Sequence, residues 1–447
     1  MRPAICWITY VLILTGLLTP PAFADEVTPP VASDCSEDVT SEFNSWLAGV
    51  PDGSTISLAS NGCYLSNGTI RVENRNNLTF LGNGATIKAS GEPACRAGST
   101  RNAQGYCVVP INPDGTCPSD SVASGTGECV RKPARQQLQF VRGGGFVVRD
   151  VTLQGSNFTA DCAVPPPAQD TCYDSLREGD GNLYVYGSDG VLIDNVRFKN
   201  AWDDAVVAAP IGARDGNGTG AVMARRVTVQ NSTVDTAGRH AFTCIGCKDF
   251  VVRDNTVTNV GYWGVDVEIS ANTWTGDIVL ERNRFSNIYV GILAVTPANA
   301  PSTLGPIVVR DNVRTDAPAF CMYGFVIGRD DRSPPQYVEV TGNHVRAVAG
   351  GVVVRNTPEA KVADNTFEVD RSVPCAVAKG VVFSKVSSGS VIGNTVLNTN
   401  QPFEIVTSVV TVCGNRTTPT GAFDQPVTCD DMRGDLASAK RPSSRGE

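Results

Sequence analysis

The stretch VRDNTVTNVGYWGVDVE, residues 252–268, joins a β-type phrase that closes around Asn255 to a second phrase built around the small residue Gly264. The first phrase recurs along the chain. LIDNVRF carries Asn195, TVQNSTV Asn231, LERNRFS Asn283 and VRDNVRT Asn312; VTGNHVR carries Asn343, VADNTFE Asn365, VIGNTVL Asn394 and VCGNRTT Asn415. Successive asparagines lie 21 to 36 residues apart, and the longer steps hold Gly/Pro-rich insertions. Val, Ile and Thr dominate the phrases and helical patterning is nearly absent, which predicts an all-β chain. A period in this range with a polar residue at one fixed corner predicts a β-solenoid. Residues one period apart then stack roughly 4.8 Å apart. The asparagines are expected to form a ladder whose side-chain amides bond from coil to coil.

The chain has 447 residues, a length that in a repeat fold does not imply several globular domains. Its formal net charge of −8 comes without a basic stripe, which argues against a nucleic-acid partner. Residues 1–24 read as a signal peptide. Arg2 supplies the charge, Ile5 to Leu18 the apolar core, and Ala22-Phe23-Ala24 the cleavage box. A secreted or periplasmic protein without a membrane anchor is expected, and it is read as a monomer. Of fifteen cysteines, Cys6 leaves with the signal. The other fourteen are expected to oxidise. Cys35/Cys63, Cys162/Cys172, Cys321/Cys375 and Cys413/Cys429 are candidate pairs, and Cys95, Cys107, Cys117 and Cys129 are expected to pair among themselves. Cys244 and Cys247 sit in a strand phrase and read as a structural disulfide or two packed thiols, not a redox pair. No zinc-ligand spacing occurs, and no metal site is expected.

Residues 25–430 read as one β-helix domain, with Cys-rich insertions at about 91–135 and 156–177 and a polar, disordered tail at 431–447. Residues 36–48 hold the best helical stretch, with Phe43, Trp46 and Leu47 on one face. A short helix there would cap the open end of the solenoid.

The second phrases, aligned on their small residue, place Asp180, Asp204, His240 and Trp263 in one column. Asp203 and Arg239 lie just before it, and Asp266 and Glu268 lie two and four residues past Gly264. Stacked carboxylates push one another's pKa upward, which provides a protonated acid beside an ionised base. Glycoside hydrolysis needs that pair. Tyr262, Trp263 and Tyr289 offer flat faces for sugar rings. Asp266 and Glu268 share a face read as outward and groove-facing.

These motifs resemble the pectin-lyase-like right-handed parallel β-helix superfamily, from the FNSWLAGVPDGSTISL capping phrase to about residue 430. Their order is similar to that of glycoside hydrolase family 28, the polygalacturonases. Glu178 to Gly181 (EGDG) stands in place of N-T-D-G, Trp202 to Ala205 (WDDA) in place of G-D-D-C, and Gly238 to Ala241 (GRHA) near G-H-G. The resemblance implies an inverting hydrolase of extracellular polysaccharide that needs no cofactor. Asp204 would be the acid, Asp180 and Asp203 the base pair, and His240 a support to the acid. Glu178, Arg239, Tyr262, Trp263, Asp266, Glu268 and Tyr289 become substrate-binding candidates. The family's R-x-K is replaced by YWGVDVE, which argues against a uronic-acid polymer at that subsite.

Two other readings stay open. A polysaccharide lyase or C5-epimerase would use Arg239, His240 and Tyr262, with the aspartates holding Ca²⁺. A carbohydrate-binding surface solenoid would use the groove without chemistry.

Overall fold

The computed structural model describes residues 25–433 except 90, 94, 120, 133–134, 164–171, 213–220, 270–273, 297–302, 317–320, 329–333, 372–374, 376–377, 400, 419–424 and 428–429. The expected signal peptide at 1–24, the tail beyond 433 and Cys429 lie outside the described residues.

Each coil contributes three short strands, and like strands of successive coils pair in parallel. The fold is therefore a parallel β-helix. Its first face includes Gly181–Tyr186, Val206–Ala209, Phe242–Ile245, Trp263–Glu268, Gly291–Thr296 and Tyr323–Ile327. A second face includes Asp189–Asp194, Arg225–Gln230 and Lys248–Arg253; a third includes Arg197–Ala201, Thr233–Ala237 and Thr256–Val260. Three long strands, Gln136–Arg149, Gly350–Ala363 and Lys379–Ile392, run from the first face into the second. Alternation turns every second residue inward. Leu183, Val206, Phe242, Val265, Leu293, Phe325 and Val352 thus form one buried apolar stack along the axis.

The asparagine ladder occupies the corner between the second and third faces. Asn255, Asn283, Asn312, Asn343, Asn365, Asn394 and Asn415 are all buried. Each Oδ1 accepts the backbone N–H of the residue one coil earlier; from Asn283 on it also accepts that coil's Asn Nδ2–H, at 2.8 to 3.0 Å throughout. The Nδ2 groups also donate to strand carbonyls of the preceding coil, such as Val229 and Val252.

Asn195 and Asn231 do not belong to this ladder. They sit one residue earlier, at the exposed corner where φ is +52° and +51° and where Asp254 and Asp311 stand in later coils. Asparagine tolerates that left-handed conformation, so the same residue type serves two adjacent positions for different reasons. Ser232 heads the true ladder. Its N–H donates to Asn255, and its hydroxyl accepts from the Val196 N–H.

The capping helix spans Thr40–Leu47, shorter than the 36–48 expected, because Asp34–Asp38 is already a strand paired to Cys63–Ser66. Phe43 and Leu47 close the apolar core. Asn44 accepts from Arg71 N–H and donates to the Thr69 carbonyl, so its amide stands in for a missing strand. At the far end Gln425–Val427 and Asp430–Arg433 pair antiparallel with the last coil.

Six disulfides form among the described residues: 35–63, 95–107, 117–129, 162–172, 244–247 and 321–375. They match folding in an oxidising compartment. Among the described residues no helix is long and apolar enough to cross a membrane.

Asn283→Ala would orphan buried groups on both neighbouring coils and should cost on the order of 3 kcal/mol. Asn231→Ala loses only the tolerance of a left-handed φ and an exposed bond to Asp194, and should cost about 1 kcal/mol. Urea unfolding of the two variants checks the distinction.

Candidate active site

The expected column slips by one residue at its first coil. Leu183 pairs with Val206, so Asp203 follows Asp180 along the axis, and Asp204 does not. The Asp180 carbonyl accepts both the Trp202 and the Asp203 N–H, so two residues of the second coil face one of the first. That is the pairing of a β-bulge. From there the expected register holds, and Asp204, His240 and Trp263 stack in order. A second slip follows, because Trp263 pairs with Gly291, where the Trp263 ring leaves no room for a Cβ.

Asp180 is held by Arg135 through both carboxylate oxygens, at 2.9 and 2.8 Å, and both side chains are 1% exposed. This sequestered ion pair leaves Asp180 no face for an attacking water. Asp203 Oδ2 accepts from Gly179 N–H at 2.8 Å and from Tyr184 Oη–H at 2.5 Å, while its buried Oδ1 has no partner among the described residues. Asp204 accepts from the His240 backbone N–H and from the Thr243 hydroxyl. His240 therefore contacts Asp204 through its peptide. The imidazole points elsewhere: Nε2 lies 3.6 Å from Asp266 Oδ2.

A groove of about 850 Å³ opens beside this cluster on the outer side of the first face. Arg239, His240, Tyr262, Trp263, Asp266, Glu268 and Tyr289 line it, whereas Glu178, Asp180, Asp203 and Asp204 do not. Asp266 and Glu268 point outward, as alternation requires. Of the three expected stacking rings only Tyr262 is open, at 41% exposed. Trp263 and Tyr289 pack with Val290 and Ala294 and form the floor. Glu178 is turned away, bonded to Lys132 and Tyr173.

Arg239 joins the two acidic layers. Its Nη2 bonds Glu268 at 2.5 Å and its Nη1 lies 3.7 Å from Asp204 Oδ2. Burial opposes its charge, but Asp204, Glu268 and Asp203 keep the guanidinium protonated. One cation cannot balance four neighbouring carboxyls, so protons stay on some of them. Burial, then Asp203, pushes Asp204 well above the usual carboxyl range; burial, then Glu268, does the same to Asp266. Burial raises Asp203 less, because Arg239 and Tyr184 oppose the shift. Burial and Arg239 hold the His240 imidazole well below its ordinary value, hence neutral. The groove thus presents an Asp266 whose carboxyl is pushed well above the usual range and a Glu268 paired to Arg239. Among the described residues no cluster of His, Cys, Asp and Glu is arranged to hold a metal.

Several groove residues escaped the sequence reading. Tyr173 lies in an insertion outside the repeat and carries no periodic signal. Arg355 was legible: it follows Gly351 by four, as Glu268 follows Gly264, and it lines the groove's far end.

Residues 149–312 match the family model described as "Right handed beta helix region". No curated protein matches the sequence. Among solved structures, the chain is similar to a family 28 exopolygalacturonase from Yersinia enterocolitica, at 13% identity and TM-score 0.49, covering 92% of this chain and 78% of that one. It is similar to an exopolygalacturonase from Thermotoga maritima, at 12% identity and TM-score 0.48, covering 92% and 94%. It is also similar to the A-module of a mannuronan C-5 epimerase from Azotobacter vinelandii, at 13% identity and TM-score 0.48, covering 93% and 100%. The fold is a right-handed parallel β-helix.

Asp204 and Asp266 bind protons more tightly folded than unfolded, so stability should fall as pH rises from about 4, the unfolded Asp value, through their folded values. Asp204→Asn should make that decline shallower. Thermal melts of both proteins between about pH 4 and about pH 8 test this.

Proposed function

We propose that this protein is a secreted carbohydrate-active enzyme, a glycoside hydrolase that cleaves a polysaccharide laid in the groove. The observation that carries the reading is Asp266 beside Glu268 on the floor of an open groove flanked by the Tyr262 ring, where burial and Glu268 push the Asp266 carboxyl well above the usual range. Asp266 donates its proton to the glycosidic oxygen as that bond breaks. A water from the open groove attacks the anomeric carbon and releases its proton to solvent, while Glu268, on the same strand face and bonded to Asp266, holds the acid's proton in place until the bond breaks. Neutral His240, beside Asp266 Oδ2, orients the acid.

The family resemblance put the acid on Asp204 and the base on Asp180 and Asp203. Two observations favour moving the chemistry one layer outward. Asp180 is taken up by Arg135, and Asp203 and Asp204 lie buried behind Arg239. In this assignment Asp203 and Asp204 anchor Arg239 behind the groove. No step calls for a cofactor.

Asp266→Asn should lower turnover by about 10²- to 10⁴-fold while leaving binding intact. Asp180→Asn should instead act on folding, since breaking one side of a buried ion pair costs about 3–5 kcal/mol. Release of reducing ends from a polysaccharide panel, the anomer first formed, and melting curves check these outcomes. Unsaturated products would favour the lyase reading, and an inverted uronate without cleavage the epimerase. Full activity in Asp266→Asn would return the acid to Asp204.

A further inference from the structure

We infer that the groove is a dead end and that a glycan is engaged from one terminus only, so the enzyme acts on chain ends; this rests on the glycan-cleaving reading above. The inference comes from where the acid pair stands along the groove. On the outer side of the first face, Thr243, Asp266, Ala294, Val326 and Val353 follow one another coil by coil. Thr243 is fully buried and spends its hydroxyl on Asp204. Before it, Val207 and Tyr184 hold the same outer positions and are buried too, packed with Ala209. None of Thr243, Val207 and Tyr184 lines the groove, whereas Asp266, Ala294, Val326 and Val353 all do, so the open floor begins at Asp266. Beyond Asp266 it continues over three more coils, about 14 Å at 4.8 Å per coil.

The closed end is built. Lys132 from the first insertion bonds Glu178, and Glu178 bonds the Tyr173 hydroxyl from the second. The Tyr173 ring stands 6.4 Å from Tyr262 and lines the groove. Cys172, next to Tyr173, is bridged to Cys162, whose N–H donates to Asn259 Oδ1. Asn287 Nδ2 donates to Asp161. The second insertion is thus laced to the corners of two coils on its way to the groove. Arg177 in turn bonds Glu92 and lies 4.5 Å from the Trp202 ring, which ties both insertions to the coils beneath.

A glycosidic bond over Asp266 and Glu268 would leave space on its closed side only for the end unit, held among Tyr173, Arg239, His240 and Tyr262. The rest of the chain would lie on the open side, toward Arg355. A groove open at both ends would instead place the acid pair near its middle and let an internal stretch settle.

The test uses the full-length secreted protein with polygalacturonate, alginate and xylan, and with hexasaccharides of each that carry a bulky fluorophore at the reducing or the non-reducing end. The expected result is release of mono- or disaccharides from the first time points with little fall in viscosity. In Asp266→Asn, one labelled hexamer should bind and the other should bind at least tenfold more weakly. An early fall in viscosity with mixed oligomers would overturn the dead end while leaving glycan cleavage standing. Equal binding of both labelled hexamers without cleavage would overturn both. One-ended binding without cleavage would sink the hydrolase reading and keep the dead end. If no hexamer binds, neither reading survives. Tyr173→Ala should narrow the difference between the two labelled hexamers.

Discussion

A buried carboxamide must find a partner for every lone pair and N–H, and in this chain seven of them do so only by stacking. Each ladder asparagine spends its oxygen on the coil before it and its amide hydrogens on carbonyls of that coil and, except at the last rung, on the oxygen of the following rung. That arrangement tolerates one spacing and one register. The strands on either side of the corner inherit both, and so the inward column from Leu183 to Val352 stays apolar over many coils. Insertions of very different length then emerge between strands without disturbing the stack, because the corner re-imposes the register each time.

Much of this was legible in the residues. Alternation and the asparagine period pointed to the parallel solenoid; Phe43, Trp46 and Leu47 pointed to the cap. The same signal misled at Asn195 and Asn231, since asparagine suits both a buried amide stack and a left-handed corner. Sequence shows the residue type at both places and not which physical need it meets. The site suffered a related error. A ruler based on small residues cannot see a bulge, and the double acceptance at the Asp180 carbonyl moved Asp204 out of line with Asp180. Depth was the other hidden quantity. Arg135 comes from the coil before Asp180 and carries no mark of its role in the sequence, yet it decides that Asp180 is a structural carboxylate.

The cluster around Arg239 shows how depth becomes chemistry. Asp203 and Asp204 are too buried to meet a polymer, but Arg239 bridges Asp204 to Glu268 in the groove. Desolvation of the floor, and then the neighbouring Glu268, push the Asp266 carboxyl up against the opposing pull of Arg239. A carboxyl in such a place keeps its proton without a dedicated donor, and its neighbour Glu268 remains tied to the cation. The outward pair on YWGVDVE, which replaces a basic motif in the resembling family, is therefore coupled to the acidic layer beneath it.

The two ends of the stack carry a consequence of another kind. A parallel coil offers the next chain an edge identical to the one it was built on, so an uncovered β-helix is a template for filament growth. At one end Asn44 occupies the Arg71 N–H and the Thr69 carbonyl from a helix, which cannot itself be extended by a strand. At the other, Gln425–Val427 and Asp430–Arg433 run against the direction of every coil they cover. A reversed strand presents the wrong polarity for another copy of the repeat. The backward strands thus cover the edge that the last coil would otherwise offer.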